Sequence, residues 1–277
     1  MVKVDRPSDT ALGASVIGAV HQLIDQRPLI LEDPISPRLL TTETLRSIRG
    51  KPERYQTAQA KGLRSHVVLR SRYAEDRLQD AAESGITQFV NVGAGFDTFA
   101  FRQPSWALPL RIVEVDHPAS QKAKLQYFAS RGLPALQNTY FSAVDLEKDK
   151  LGVALSDVNV DRRRPAFFAC LGVLAYLSKS AIVDIFGTIA QWPKGTIVVT
   201  AFAPKPVEGQ STAAARAAEH GEPWVSYFDS NEIEDLLRKS GFSSVGFLSP
   251  EDAAERYYKG RTDLPAPKET RLSWGRV

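Results

Sequence analysis

Cysteine is almost missing from this chain: Cys170 is the only one in 277 residues. No intrachain disulfide and no cysteine-built zinc cluster can therefore replace a packed core. Long apolar runs are missing too. The longest, Phe167 to Leu177, falls far short of the ~20 residues that span a bilayer. Met1-Val2-Lys3-Val4-Asp5-Arg6-Pro7 lacks the apolar stretch of a secretion signal. Charge of one sign is not in excess either. A net charge of +3 gives no whole-chain case for nucleic acid or membrane as a partner. Arg162-Arg163-Arg164, the densest basic run, reads as a solvated loop. Internal repeats and low-complexity segments do not stand out. The expectation is a soluble, cytoplasmic enzyme, monomeric or homodimeric.

What is present suffices for a large core, since 43% of residues are hydrophobic and 24% charged. The pattern predicts one α/β domain over 1–277, with a helical cap over 1–85. Helices are predicted at Thr10–Asp25, Pro37–Ile48 and Leu63–Glu83, separated by turns such as Glu32-Asp33-Pro34. From residue 86 onward, short β-branched or aromatic runs alternate with helical segments. Strands are predicted at Gln88–Val92, Leu110–Val115, Thr139–Val144, Pro165–Leu171 and Thr196–Phe202. Within Ser178–Trp192, Ile182, Ile185, Phe186 and Ile189 recur at helical spacing. Apolar strands separated by helices imply a parallel sheet covered on both faces.

The last third departs from that alternation. Ala203–Phe228, with Pro204, Pro206, Gly209, Gly221 and Pro223, is too long for a plain connector and reads as a substrate cap. A helix then starts behind Asp229, with Glu232 placed for a capping box and Gly241 at its end. Ile233, Leu236 and Leu237 form its buried stripe. Ser243–Leu248 and Arg271–Val277 add two strands, for about seven in all.

The first strand runs into Gly93-Ala94-Gly95, with Asp97 close behind. Ligands of open α/β sheets bind at the carboxyl ends of the strands, and glycines there let the backbone approach a ligand closely. A dinucleotide fingerprint would place a third glycine at 98, where Thr98 stands. An adenosine ribose needs an acceptor for its hydroxyls, commonly a carboxylate about 20 residues past the glycines. Asp116 ends the second strand in that position, and Glu114, two residues earlier, is its rival. Asp145, followed by Leu146 after the third strand, could accept from an adenine amino group while the leucine covers the ring.

Together, "VNVGAGFDTFAFR", "VEVDHP", "VDL" and "GVLAYL" make the chain resemble the leucine carboxyl methyltransferase family of S-adenosylmethionine-dependent O-methyltransferases. The resemblance runs from about Asp33-Pro34 to the C-terminus. "FFACLGVLAYLS" and "GEPWVSYFD" look like a bacterial and fungal subset acting on small molecules. It implies a Rossmann-like class I methyltransferase fold: a mostly parallel seven-stranded sheet, an N-terminal helical extension and an insertion after the fifth strand. It implies S-adenosyl-L-methionine as cofactor, with S-adenosyl-L-homocysteine as product. By the same resemblance, Gly93 contacts the methionine part, Asp116 takes the ribose hydroxyls and Asp145 with Leu146 holds the adenine. Arg72 in "LRSRYAED" matches the arginine on the cofactor carboxylate, with Arg70 as its rival. A guanidinium suits that task because its planar fork gives a carboxylate two hydrogen bonds. Many members carry a glutamate where this chain has Leu171.

Methyl transfer needs an acceptor oxygen held in line at ~3–3.5 Å. A carboxylate acceptor needs no general base, whereas a hydroxyl usually wants one. His21, His66, His117 and His220 lie in no catalytic motif, so no general base is assigned. Tyr176, Trp224, Tyr227 and Phe228 would wall a pocket for a small organic acceptor. Two rival readings are a nicotinamide-dependent oxidoreductase and a non-catalytic S-adenosylmethionine-binding protein. Thr98 argues against the first, as does Ser180, which stands where a Tyr-x-x-x-Lys pair starting at Tyr176 would need lysine. Leu171 is the only hint of the second.

Overall fold

The computed structural model describes residues 8–134, 137–158, 160–205 and 213–277. Its architecture follows from paired apolar residues along the strands. Phe89 and Val90 in β1 (Gln88–Val92), Ile112 and Val113 in β2 (Arg111–Asp116), Phe167 and Phe168 in β4 (Phe167–Cys170), and Ile197 and Val198 in β5 (Ile197–Ala201) are all buried. Successive strand side chains point to opposite faces, so each pair feeds two different cores.

Val90, Val113, Phe168 and Val198 enter a core with residues of α5 (Leu151–Ser156), α6 (Lys179–Ala190) and α8 (Ser230–Ser240). Their partners enter a second core with Val68, Leu69, Tyr73, Ala74 and Leu78 of α3 (Ala58–Glu83). Burying one such large apolar side chain stabilises the fold by about 1.5–3 kcal/mol. The stripe Ile182, Ile185, Phe186 and Ile189 is fully buried, which is what holds α6 on the sheet.

With β3 (Thr139–Ala143), β6 (Ser244–Phe247) and β7 (Leu272–Arg276), the seven strands run in the order β3-β2-β1-β4-β5-β7-β6. β1 pairs parallel with both β2 and β4, while β7 pairs antiparallel with β5 and β6. The strand order reverses between β1 and β4, so the carboxyl ends of those two strands open the crevice where an α/β sheet binds ligand.

The N-terminal helices are α1 (Asp9–Ile24), α2 (Thr42–Gly50) and α3. The single helix predicted over Pro37–Ile48 is instead a 3₁₀ turn, Ser36–Leu39, followed by α2. Leu40 is extended, and the Thr41 hydroxyl restarts the helix by accepting from the Thr44 amide at 3.1 Å. Similarly, Thr57 caps α3 by accepting from Ala60 at 3.2 Å, so that helix begins before Leu63. α4 (Pro118–Ser130) starts at Pro118, and the capping box of α8 joins Asp229 and Glu232 reciprocally. Of the Ala203–Phe228 insertion, α7 (Ala213–Glu219) is helical. Pro206 and Gly209, like Met1–Pro7, lie outside the described residues. α9 (Pro250–Ala253) runs directly into a π-helical turn, Ala254–Tyr258. Among the described residues no helix is long and apolar enough to cross a membrane.

Candidate active site

The glycine turn sits at the strand-order reversal and is tied to the end of β2. The Gly93 and Ala94 amides both donate to the Val115 carbonyl, at 2.8 and 3.2 Å. Gly93 and Gly95 have φ of +72° and +47°, a region that disfavours side chains. The turn is also crowded from above. A Cβ on Gly93 would lie 2.5 Å from the Val173 Cβ, and one on Gly95 would lie 3.0 Å from the Ala11 Cβ of α1.

Asp116 ends β2 beside this turn. Its carboxylate accepts from the Gly95 amide and, at 2.6 Å, from the His117 amide. Burial holds the Asp116 carboxyl above its ordinary value, against the lowering effect of those two amides. Each carboxylate oxygen retains acceptor capacity beyond one such bond. Glu114 does not join it. Its Oε2 is 2.6 Å from Lys124 Nζ of α4, with both side chains almost wholly buried. Burial pushes the Glu114 carboxyl up to about 7. Glu114 is thus paired with α4, and Asp116 stands at the strand end beside the glycine turn.

The two candidate arginines of α3 also separate. Arg72 is 44% exposed and pairs with Asp76 at 2.8 Å, on the outer side of the helix. Arg70 lies over the turn after β4, its Cζ only 2.9 Å from where a Cβ on Gly172 would sit. Its buried Nε has no hydrogen-bond partner. Asp97 and Tyr176 are close enough to act on it electrostatically. A cavity between α3 and the glycine turn is lined by Ser71, Glu75, Asn91, Asp97, Phe99 and Leu171. Asp97 Oδ1 also accepts from the Phe99 amide at 2.8 Å, which fixes its carboxylate at the rim of the turn.

Asp145 and Leu146 follow β3. Burial raises the Asp145 carboxyl, but Lys148 at 2.6 Å and the Glu147 amide outweigh it and hold it below the usual range. His117 Nε2 lies 4.0 Å from Asp145, linking this carboxylate to the Asp116 side of the crevice. Leu146 is buried in the core below.

On the opposite side, the Val225 and Ser226 amides both donate to the Ala175 carbonyl, stitching the insertion to the segment after β4. The Trp224 ring meets Tyr176 edge-on at 6.3 Å and Tyr227 at 6.3 Å. Phe228 does not line this wall. It is 5% exposed and packs in the core with α6 and α8. Cys170 is likewise buried, and burial pushes its thiol up to about 12.

Three features were not singled out by sequence spacing. Glu222, 6% exposed, accepts from Ser8 Oγ at 2.8 Å, from the Asp9 amide at 2.6 Å and from Thr10 Oγ1. It thereby ties the start of α1 across the crevice to the insertion. His66, one helical turn before Arg70, is held neutral: burial, then Arg70 and Arg271, lower it to about 3. Thr10 is hydrogen-bonded to Tyr176. Only "GEPWVSYFD" carried a signal for Glu222, and no local rule links it to residues 8–10.

The fold and the sequence have known counterparts. A crystal structure of a Thermobifida fusca protein, provisionally named a methyltransferase, matches with a TM-score of 0.57 at 18% identity, covering 98% of this chain and 95% of that one. A DUF574 family protein from Streptomyces avermitilis matches with a TM-score of 0.59 at 16% identity, over 95% of each chain. These likenesses concern the fold. In sequence, the Bacillus subtilis protein YktD, provisionally named an S-adenosyl-L-methionine-dependent methyltransferase, is 32% identical over 214 residues, 73% of this chain and 69% of its own. A Mycobacterium marinum protein with the same provisional name is 26% identical over 96% of this chain and 92% of its own. The leucine carboxyl methyltransferase family model matches residues 11–190. The chain belongs to the leucine carboxyl methyltransferase family.

Proposed function

We propose that the crevice transfers a methyl group from S-adenosyl-L-methionine to an oxygen of a small organic acceptor. That the chain is an S-adenosyl-L-methionine-dependent methyltransferase follows from its family and relatives; the oxygen and the small acceptor are the proposal. One observation carries it: the buried Nε of Arg70, over the turn after β4, has no partner and lies within electrostatic reach of Asp97, while Asp116 holds the neighbouring glycine turn through the Gly95 amide. A guanidinium and a carboxylate side by side suit the zwitterionic end of an amino acid. A second carboxylate beyond the turn suits a ribose.

The residues fit the cofactor as follows. Arg70, in preference to Arg72, would pair with its carboxylate, and Asp97 would accept from its ammonium. Gly93, Ala94 and Gly95 would pass beneath it. Asp116 would accept from the ribose hydroxyls, and Asp145 with Leu146 would meet the adenine. Bound there, the sulfonium supplies an activated methyl. Leu171, where the family resemblance implies a glutamate in many members, makes that position apolar, which favours a reaction in which opposite charges cancel. Tyr176, Trp224 and Tyr227 would wall the acceptor.

The test is product chemistry. The protein is incubated with S-adenosyl-L-methionine and a panel of small phenols, alcohols, carboxylates and amines, and products are identified by mass spectrometry. O-methylated products support the reading. Methylation of nitrogen or carbon alone, or of a protein tail in preference to every small molecule, overturns it.

A further inference from the structure

A chain of hydroxyls leads away from the acceptor wall to a buried carboxylate. Tyr176 Oη donates to Thr10 Oγ1 at 3.1 Å, and Thr10 Oγ1 donates in turn to Glu222 Oε2. Each hydroxyl has one proton to give, and both protons point toward Glu222. Among the described residues nothing donates to Tyr176 Oη, so its lone pairs are open to a donor. Tyr176 stands at the crevice, four residues after Gly172 and within electrostatic reach of Arg70, while Ala11, next to Thr10, lies on the glycine turn.

We propose that the acceptor oxygen is a hydroxyl, that Tyr176 is the catalytic residue accepting its proton, and that Thr10 and Glu222 form the relay that draws the proton away. The inference rests on the methyl-transfer reading above and selects among its acceptors. A carboxylate would reach the crevice ionised and leave the chain of donors without a task. A hydroxyl is a poor nucleophile until its proton leaves, and a positioned base contributes about 10²–10⁴-fold.

The step balances as follows. The acceptor oxygen bonds to the methyl carbon as the sulfur–methyl bond breaks, its electron pair staying on sulfur. The acceptor proton passes to Tyr176 Oη, that of Tyr176 to Thr10 Oγ1, and that of Thr10 to Glu222. Glu222 starts ionised and ends neutral, then loses its proton to water. The charged groups facing the relay are Arg70 from α3, Asp9 at the start of α1 and His220 of the insertion, 4.0 Å from Asp9.

Glu222 also caps the start of α1, so Glu222→Gln alone could act by loosening that helix. Thr10→Val keeps the shape, breaks the relay and leaves the bonds from Ser8 and the Asp9 amide. With 4-methylphenol and benzyl alcohol as acceptors, Thr10→Val should lower kcat about 10–100-fold with KM and S-adenosyl-L-homocysteine affinity within about twofold. Thr10→Ser should restore kcat. The Thr10→Val rate should climb with pH from 7 to 9 as acceptor ionisation replaces the relay, where the wild type stays flat. A readout without turnover is the absorption band of 4-nitrophenol bound with S-adenosyl-L-homocysteine. It should shift to longer wavelength in the wild type and return in Tyr176→Phe. Unchanged kcat in Thr10→Val, turnover of benzoate but of neither hydroxyl compound, or no band shift overturns the relay. Failure to bind S-adenosyl-L-methionine, or methyl on nitrogen or carbon, would instead overturn the reading beneath it.

Discussion

Gly93 passes so close beneath Val173 that a Cβ on residue 93 would lie 2.5 Å from the Val173 Cβ. The turn after β4 therefore roofs the turn after β1, and the glycine is required twice, for space and for its φ of +72°. Gly93→Ala should lower stability by about 1–3 kcal/mol and weaken cofactor binding at least about tenfold, read by thermal unfolding and calorimetry. Gly85→Ala is the control. Gly85 has φ +96° but open space around its Cβ position, so it should lose stability and keep its affinity. Equal effects of both substitutions on affinity would mean that backbone strain, not the roof, governs the site.

Asp116 accepts from two backbone amides and has lone pairs left for a ribose. Asp116→Ala should weaken S-adenosyl-L-homocysteine binding about 10–100-fold, since a hydrogen bond to a charged group contributes ~1.5–3 kcal/mol. Because burial raises its carboxyl, wild-type affinity should begin to fall at a higher pH than an ordinary aspartate would dictate. The acid limb should vanish in Asp116→Asn. Calorimetry from pH 4 to 8 checks both, and unchanged affinity in Asp116→Ala rejects the ribose contact.

The sheet was legible because its central strands are buried on both faces, and the run Phe167-Phe168-Ala169-Cys170 admits little else. The ends of elements were less so. Leu40 interrupts an otherwise helical run through its backbone conformation and the competing Thr41 cap, which periodicity does not register. Order and spacing put the glycine turn and Asp116 at neighbouring strand ends, and the structure joins them through the Gly95 amide. Spacing did not separate Arg70 from Arg72, since two positions on a helix differ by about 200° of rotation and only the packing of α3 on the sheet decides which faces inward. Phe228 and Trp224 look alike as aromatic residues of one insertion, yet Phe228 is buried in the core with α6 and α8 while Trp224 packs against Tyr176 and Tyr227. Glu222 was invisible because its partners, Ser8 to Thr10, are brought to it by the whole fold.

The division between the α3 arginines gives a direct comparison. Arg70→Ala should raise the dissociation constant for S-adenosyl-L-methionine about 10–100-fold, by loss of a charge-assisted pair. Arg72→Ala should leave it within about twofold and change stability by at most ~1 kcal/mol, because exposed ion pairs contribute little. The reverse order in paired calorimetric titrations would return Arg72 to the cofactor.

Glu114 and Lys124 couple the site's foundation to pH. Folded, the Glu114 carboxyl holds its proton up to about 7, against an ordinary value of 4.5. Between those values Glu114 binds more of a proton in the native state than in the unfolded chain, so its contribution to stability falls as pH rises. This group's contribution is fully present below the ordinary value and is lost by about 7. Replacing both partners, Glu114→Leu with Lys124→Met, removes the titration and leaves an apolar pair of similar bulk, an exchange that is often neutral or stabilising. Denaturant unfolding of wild type and double variant at pH 4.5, 6 and 7.5 isolates the effect, because every other titrating group is common to both. The wild type should lose ground to the variant across that range. A constant difference would mean that Glu114 is ionised against Lys124 throughout, with the ion pair itself holding β2 to α4.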